Sequence, residues 1–342
     1  MKRRTLLAAL ASIPALGARA QSAPAGPWKA SPESESLVPD AKLRAQMFRA
    51  LDAAKNAGID PSISGFPVRA ATVFELNGVE HTVVGGNCEY AIPEAIHGET
   101  SMLNHVTALF GPQVTRKNVR FVAYYGHSYI SSCGDCRDYQ LAATDYENLL
   151  VVAGKEPEYI AGITRFTDQI VPEKNFPLAG APKIPLAEKD LDSLVASAQE
   201  AREGGINLFT SAARHTGAAG ISFAGKTYRS AGADDPAFHY RYPIGGLLQQ
   251  AAAERDYYFR AVVVVGEKGQ WPVVSYRDRQ YGFDSDIFNH AAGKPSMLLI
   301  ITDGLGNFRM TTFEDALPPA SKPADFMSKA LTNFLDSHQK KD

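Results

Sequence analysis

Cysteine is scarce in this chain: Cys88, Cys133 and Cys136 are the only three in 342 residues. None directly follows the segment Ala18-Arg19-Ala20, which argues against a lipid-modified lipoprotein. Long apolar runs are also missing. Nothing after residue 20 approaches the length that crosses a bilayer, so no membrane partner is expected there. A surplus of basic charge is missing too. Without residues 1–20 the chain holds 31 Lys and Arg against 37 Asp and Glu, a formal charge of −6. Contact with a phosphate backbone depends on clustered Lys and Arg, so a polymeric nucleic acid is not the expected partner. A small, uncharged ligand suits this charge balance better.

What is present begins with a targeting segment. Lys2-Arg3-Arg4 is basic, Leu6 to Leu16 is a short apolar stretch, and Ala18-Arg19-Ala20 fits a small-residue cleavage site before Gln21. Arg3-Arg4-Thr5-Leu6-Leu7 fits a twin-arginine signal, the route that carries folded proteins; an ordinary secretory signal is the alternative. Residues 1–20 therefore read as an export signal, and the expected location is periplasmic or secreted. Residues 21–40, rich in Ser, Pro, Ala and Glu, read as a flexible lead-in. The remaining length suits two domains, each able to bury a core of its own. We place them at 41–180 and 186–325, with a linker in the proline-interrupted stretch from Pro177 to Pro185. Leu43, Met47, Leu51 and Ala54 predict a helix over 42–57. Pro93 to Phe110 reads as another, with Ile96, Met102, Leu103, Val106 and Phe110 inward. Leu149 to Ala153 reads as a buried strand, and the helix Ala187 to Glu203 opens the second half.

The most specific feature is His97-Gly98-Glu99 followed by Cys133-Gly134-Asp135-Cys136. It offers one imidazole and two thiolates to a metal, with a carboxylate two residues from the imidazole. Zinc held by three such ligands keeps a fourth position for water and lowers that water's pKa toward neutrality. The nearby glutamate can then move protons between the water and a leaving amine. A Cys-x-x-Cys at a helix N-terminus also gains from the helix dipole, which stabilises thiolate. Taken alone, Cys133 and Cys136 also read as a redox-active or structural disulfide of an exported protein. Cys88 reads as a small buried hydrophobe. His105, His127, His215, His239 and His290 lack partners at metal-ligand spacing and read as structural or solvated.

This order of motifs matches the signature of zinc nucleobase deaminases, and the flanking sequence resembles the cytidine deaminase family over about residues 45–180. Phe66-Pro67-Val68-Arg69-Ala70-Ala71 is similar to the family's Phe-x-Val-Gly-Ala-Ala strand. Asn77-Gly78 marks a turn between two apolar runs. Gly86-Asn87-Cys88-Glu89 is similar to Gly-x-Asn-x-Glu, and Ser132 to Arg137 stands where the family has Pro-Cys-Gly-x-Cys-Arg. The resemblance implies zinc on His97, Cys133 and Cys136. It implies Glu99 as the catalytic acid and base, Asn87 and Glu89 on ribose hydroxyls, and Phe66 against the base. Asn87 and Glu89, two apart on a strand, would face the same side; a solvated strand-end turn is the alternative. For Phe66 the alternative is core packing. Arg69, Gly98, Ser132 and Asp138 depart from the family pattern around the pocket, not at the ligands. They put ordinary cytidine in doubt as the substrate.

A degraded repeat follows. Gly217 to Tyr228 reads as strand, turn and strand, and Tyr242 to Ala251 takes the place of the His-Gly-Glu helix, with Gly245 and Leu247 in the slots of His97 and Glu99. Pro272 to Gln280 echoes Pro-Cys-Gly-x-Cys-Arg-Gln, with Ser275 and Asp278 in the cysteine slots. No three-ligand set survives, so this copy should bind no zinc. The expected fold is α/β: a three-layer α/β/α cytidine deaminase-like sandwich, duplicated, with the second copy degenerate. The expected function is zinc-dependent hydrolytic deamination of cytidine, deoxycytidine or a related cytosine-like or amidine small molecule. A chain with one dead copy resembles the larger, dimeric bacterial cytidine deaminases, which implies a homodimer. Two rival classes are a non-catalytic ligand-binding or scaffold protein with a vestigial zinc site, and a thiol-disulfide protein. Glu99 weighs against the first, because a purely structural zinc site needs no extra acid.

Overall fold

The computed structural model describes residues 27–62, 67–91, 94–125, 131–206, 215–234 and 240–318. The export signal and Phe66 lie outside them. The chain forms two compact units. One holds the residues up to Ile130 together with Ala143–Arg165; the other holds Ser131–Ala142 together with the residues from Phe166 onward. No helix among the described residues is long and apolar enough to cross a membrane.

The first unit contains β1 (Lys29–Ala30), α1 (Pro32–Leu37), α2 (Ala41–Lys55), β2 (Arg69–Leu76), β3 (Val79–Gly86), β4 (Cys88–Ala91), β5 (Glu94–Ile96), α3 (Gly98–Phe110), α4 (Pro112–Asn118) and β6 (Phe121–Tyr125). After α5 (Gly134–Ala143), it resumes with β7 (Leu150–Lys155) and β8 (Ile160–Arg165). Its sheet runs β1-β8-β7-β6-β2-β3. Asp40 starts α2 by accepting the N–H groups of Lys42 and Leu43 at 2.9 and 3.2 Å, which satisfies two donors that the first turn leaves open. The helix then buries Met47, Ala50, Leu51 and Ala54 against Ala71, Val73, Ala123 and Val152. The other face of β2 and β3 carries α3. A Cβ on Gly85 would stand 2.3 Å from the Met102 nitrogen, so only glycine lets this helix approach so closely.

The second unit contains β9 (Leu178–Ala179), α6 (Glu188–Glu203), β10 (Gly217–Ser222), β11 (Thr227–Ala231), β12 (Ala233–Asp234), β13 (Tyr240–Arg241), α7 (Pro243–Ala253), β14 (Phe259–Val265), α8 (Tyr276–Ala291), β15 (Leu298–Thr302), β16 (Phe308–Thr312) and α9 (Phe313–Ala316). Its sheet runs β11-β10-β14-β15-β16-β9. Successive side chains of β14 serve two cores, as a period of two requires. Val262 and Val264 pack with Ile244, Leu247 and Phe283 of α7 and α8. Ala261, Val263 and Val265 pack with Leu191, Leu194 and Ala198 of α6. This is a three-layer α/β/α sandwich.

The two sheets share one plan. In each, a hairpin leads to a third strand antiparallel to it, then a parallel neighbour, then an antiparallel one. They part only at the last edge, where β1 runs parallel to β8 but β9 runs antiparallel to β16. The duplicated α/β architecture expected from the repeat is therefore present.

Several local expectations are corrected. Part of the stretch read as a flexible lead-in is ordered: β1 pairs with β8, α1 is capped by Ser31, and Trp28 is 5% exposed with its indole N–H on Asp52 at 2.7 Å. Composition missed one large aromatic side chain that anchors a polar segment. The stretch 177–185 is no bare linker. Leu178–Ala179 forms an edge strand and Ile184 is buried in the α6 core. The segment from Phe166 to 180, expected in the first domain, also groups with the second unit. The helix expected from Pro93 starts only at Gly98, because Glu94–Ile96 pairs as a strand with β4, and Ile96 is exposed rather than inward.

Candidate metal centre

His97 occupies the N-cap of α3 in extended backbone (φ −76°, ψ 150°), and Glu99 follows in the helix's first turn. Glu99 is 3% exposed. Cys133 immediately precedes α5, and Cys136 lies within its first turn, fully buried. One ligand atom from each of His97, Cys133 and Cys136 lies within 4.8 Å of the others. The three residues predicted to bind metal are thus together, and Cys133 and Cys136 form no disulfide. One nitrogen and two sulfurs suit zinc, and three protein ligands leave a tetrahedral ion one open position. Glu99 is not part of this ligand group.

Asn87 separates β3 from β4, and Glu89 lies in β4. Asn87 is 5% exposed; its Oδ1 accepts the Val68 N–H at 3.0 Å, and its Nδ2 donates to Glu89 Oε1 at 3.3 Å. Glu89 is 7% exposed. Buried polar groups in mutual contact do not fit the alternative of a solvated turn. Cys88, between them, is half-buried and joins Asp60 through a strand bridge. His105 contacts the Val84 carbonyl at 3.1 Å, whereas His127 and His239 lie outside the described residues.

The repeat's counterpart of the cysteine turn is the start of α8, where Ser275 is the N-cap and accepts the Asp278 N–H. Two buried arginines establish the register. Arg137 Nε donates to the Ser132 carbonyl at 2.8 Å, and its Nη1 donates to the carbonyls of Gln169 and Pro318, both at 2.7 Å. Arg279 Nε donates to the Val274 carbonyl at 3.0 Å, and its Nη1 donates to those of Val171 and Ala316. Each arginine thus clamps one carbonyl after its own repeat's last strand and one after the other's. Ser275 and Asp278 do stand in the cysteine slots.

The helix slots differ from expectation. Tyr242 is the N-cap of α7 and Ile244 its second residue, so Tyr242 and Ile244 correspond to His97 and Glu99, rather than Gly245 and Leu247. Unequal loop lengths before the helix shift the count, and only the helix start reveals it. Asp278 Oδ1 accepts the N–H groups of Ile244 and Gly245 at 2.9 and 3.3 Å. The carboxylate in the second cysteine slot therefore caps a helix directly. Among the described residues, the His97 group is the one three-ligand cluster.

Burial pushes the Asp278 carboxyl up to about 7 from 3.8, against the lowering effect of the two N–H donors. A carboxyl raised on folding binds its proton more tightly in the native state, so its contribution to stability is lost as pH rises from 3.8 through about 7. Asp278→Asn, which can still accept both N–H groups, should match the wild type near pH 4 and exceed its stability at pH 8. Urea midpoints at the two pH values check this. An equal difference at both would mean that Asp278 does not titrate in this window.

No family model and no curated protein matches the chain. Among solved structures, the chain is similar to cytidine deaminase from Burkholderia pseudomallei, with 23% identity over 38% of this chain and 98% of that one, and a TM-score of 0.31. It is also similar to cytidine deaminase from Mycobacterium tuberculosis, with 21% identity over 38% and 94% and a TM-score of 0.28. The enzyme from Mycobacterium leprae matches with 20% identity over 43% and 100% and a TM-score of 0.27.

Proposed function

We propose that this protein is a zinc-dependent hydrolytic deaminase of a cytosine-like or related amidine small molecule. The observation that carries the reading is the His97, Cys133 and Cys136 cluster with a buried glutamate two residues from the histidine. A structural zinc site has no use for that carboxylate; a hydrolytic one needs it. The net reaction exchanges an amidine C–NH2 for C=O, consuming water and releasing ammonia. Zinc, when bound by three protein ligands with a fourth position open, acidifies a water there. Glu99 would carry both protons of that water in turn, each taken at a carboxylate oxygen: the first is given to the ring nitrogen and the second to the departing amine, so that one group serves as base and acid. Burial keeps bulk water from competing for that proton. Asn87 and Glu89 are proposed to bind the hydroxyls of a ribosyl substrate, and Phe66 to lie against its base. We further propose export to the periplasm or beyond and pairing of two chains about a two-fold axis, the commonest closed assembly.

The test is ammonia release from cytidine, deoxycytidine, free cytosine and aminated analogues, alongside metal analysis of the untagged protein. About one zinc per chain is expected, because the described residues hold one three-ligand set. About two would contradict the metal-free repeat. None, with Cys133 and Cys136 joined as a disulfide after folding with zinc, would sink the deaminase reading.

A further inference from the structure

The two residues between the cysteines are both held by helix α8 of the metal-free repeat. The Gly134 N–H donates to Gln280 Oε1 at 3.1 Å. Gln280 Nε2 donates in turn to Asp284 Oδ1 at 2.7 Å, an i, i+4 pair on the same helix. These two bonds define the amide's orientation: the flipped form would set NH2 against N–H and carbonyl oxygen against carboxylate. Gly134 also lies on the Tyr276 backbone, where a Cβ would stand 2.0 Å from the carbonyl oxygen. Its neighbour Asp135 pairs with Arg277 Nε at 2.6 Å.

The grip is reciprocal. Asp138 accepts the N–H groups of Tyr276 and Arg277 at 3.1 and 2.9 Å, so each of the two helices caps the other's first turn. Asp138 and Gln280 occupy the same position in the two repeats. Here the departure from the family's common glutamine at 138 has a structural use.

We propose that Gln280, in the repeat that has lost its ligands, is a positioning residue for the Cys133–Cys136 thiolate pair, with Arg277 assisting at Asp135. A Cys-x-x-Cys turn aims its two sulfurs through its backbone, and outer partners that fix that backbone set metal affinity. The proposal rests on the deaminase reading only for the use made of the metal.

The experiment uses the full-length protein, with cobalt as a spectroscopic probe and zinc retention measured against a chelator. Gln280→Met keeps the volume and loses the acceptor. Gln280→Glu combined with Asp284→Asn restores an acceptor at 280 and a donor at 284 with unchanged net charge. Gln280→Met should weaken zinc binding about 10–100-fold and shift the thiolate-to-cobalt absorption, with the urea midpoint unmoved; the double variant should return to within about threefold of wild type. If Gln280→Met proves insoluble, Arg277→Met takes its place with the same expected loss, since that arginine is 41% exposed. Wild-type zinc affinity and cobalt spectrum in the single variant overturn the proposal. So does an equal loss in the double variant, which would exclude the acceptor as the cause. Thiolate-bound metal without ammonia release from any amidine would defeat the deaminase reading and leave the positioning role standing. Absence of a thiolate-to-cobalt band in the wild type defeats both.

Discussion

Glu99→Gln is expected to keep the fold and about one zinc per chain while ammonia release falls by about 10²–10⁴-fold or more. The side chain is 3% exposed and lies outside the ligand group, so an amide of the same shape neither empties the metal site nor opens a cavity. What it removes is a group able to accept and return a proton. Metal analysis and steady-state ammonia release on the same preparation separate the two effects. Turnover close to wild type would show that Glu99 is not the acid and base. Loss of zinc together with activity would place Glu99 in metal binding instead.

Arg279→Met should be the most destabilising single change in the second unit, costing about 3–5 kcal/mol. Arg279 is 1% exposed and pairs with Glu173 at 2.6 Å. It also donates to the carbonyls of Val274, Val171 and Ala316. Methionine fills much of the volume but takes the guanidinium donors from three carbonyls and the opposite charge from Glu173, which keeps the Val274 N–H at 2.9 Å. The control is Lys226→Met, which breaks a pair with Glu254 in the same unit whose side chains are 52% and 50% exposed, and should cost about 0–1 kcal/mol. Urea unfolding with a probe in the second unit measures both. A loss for Arg279→Met no larger than the control's would refute the clamp.

The residues of the candidate metal cluster and the neighbouring glutamate were readable from the sequence because they lie in short motifs. His97 and Glu99 are two apart, Cys133 and Cys136 three apart, and local helix starts place each set. The continuous apolar run of Leu149 to Ala153 and the helical spacing of Leu43, Met47 and Leu51 were readable for the same reason: each pattern is local to one element. The duplicated α/β plan followed from two such series in one order.

The partners of those motifs were not readable. That Gln280 grips Gly134, that Asp138 caps α8, and that Arg137 and Arg279 clamp carbonyls of both repeats depend on contacts more than a hundred residues apart in the chain. The register of α7 was misread by three residues because loop length, which carries no periodic signal, lies between the strand and the helix start. Trp28 likewise anchors a segment whose composition alone suggests disorder. The sequence by itself determined which side chains offered themselves to a metal, since the short spacings and local helix starts present His97 on one helix and Cys133 and Cys136 on another. Only the tertiary structure decided that the second repeat, stripped of ligands, holds the backbone of the first repeat's cysteine turn, because that hold consists of hydrogen bonds between surfaces that the chain brings together only on folding.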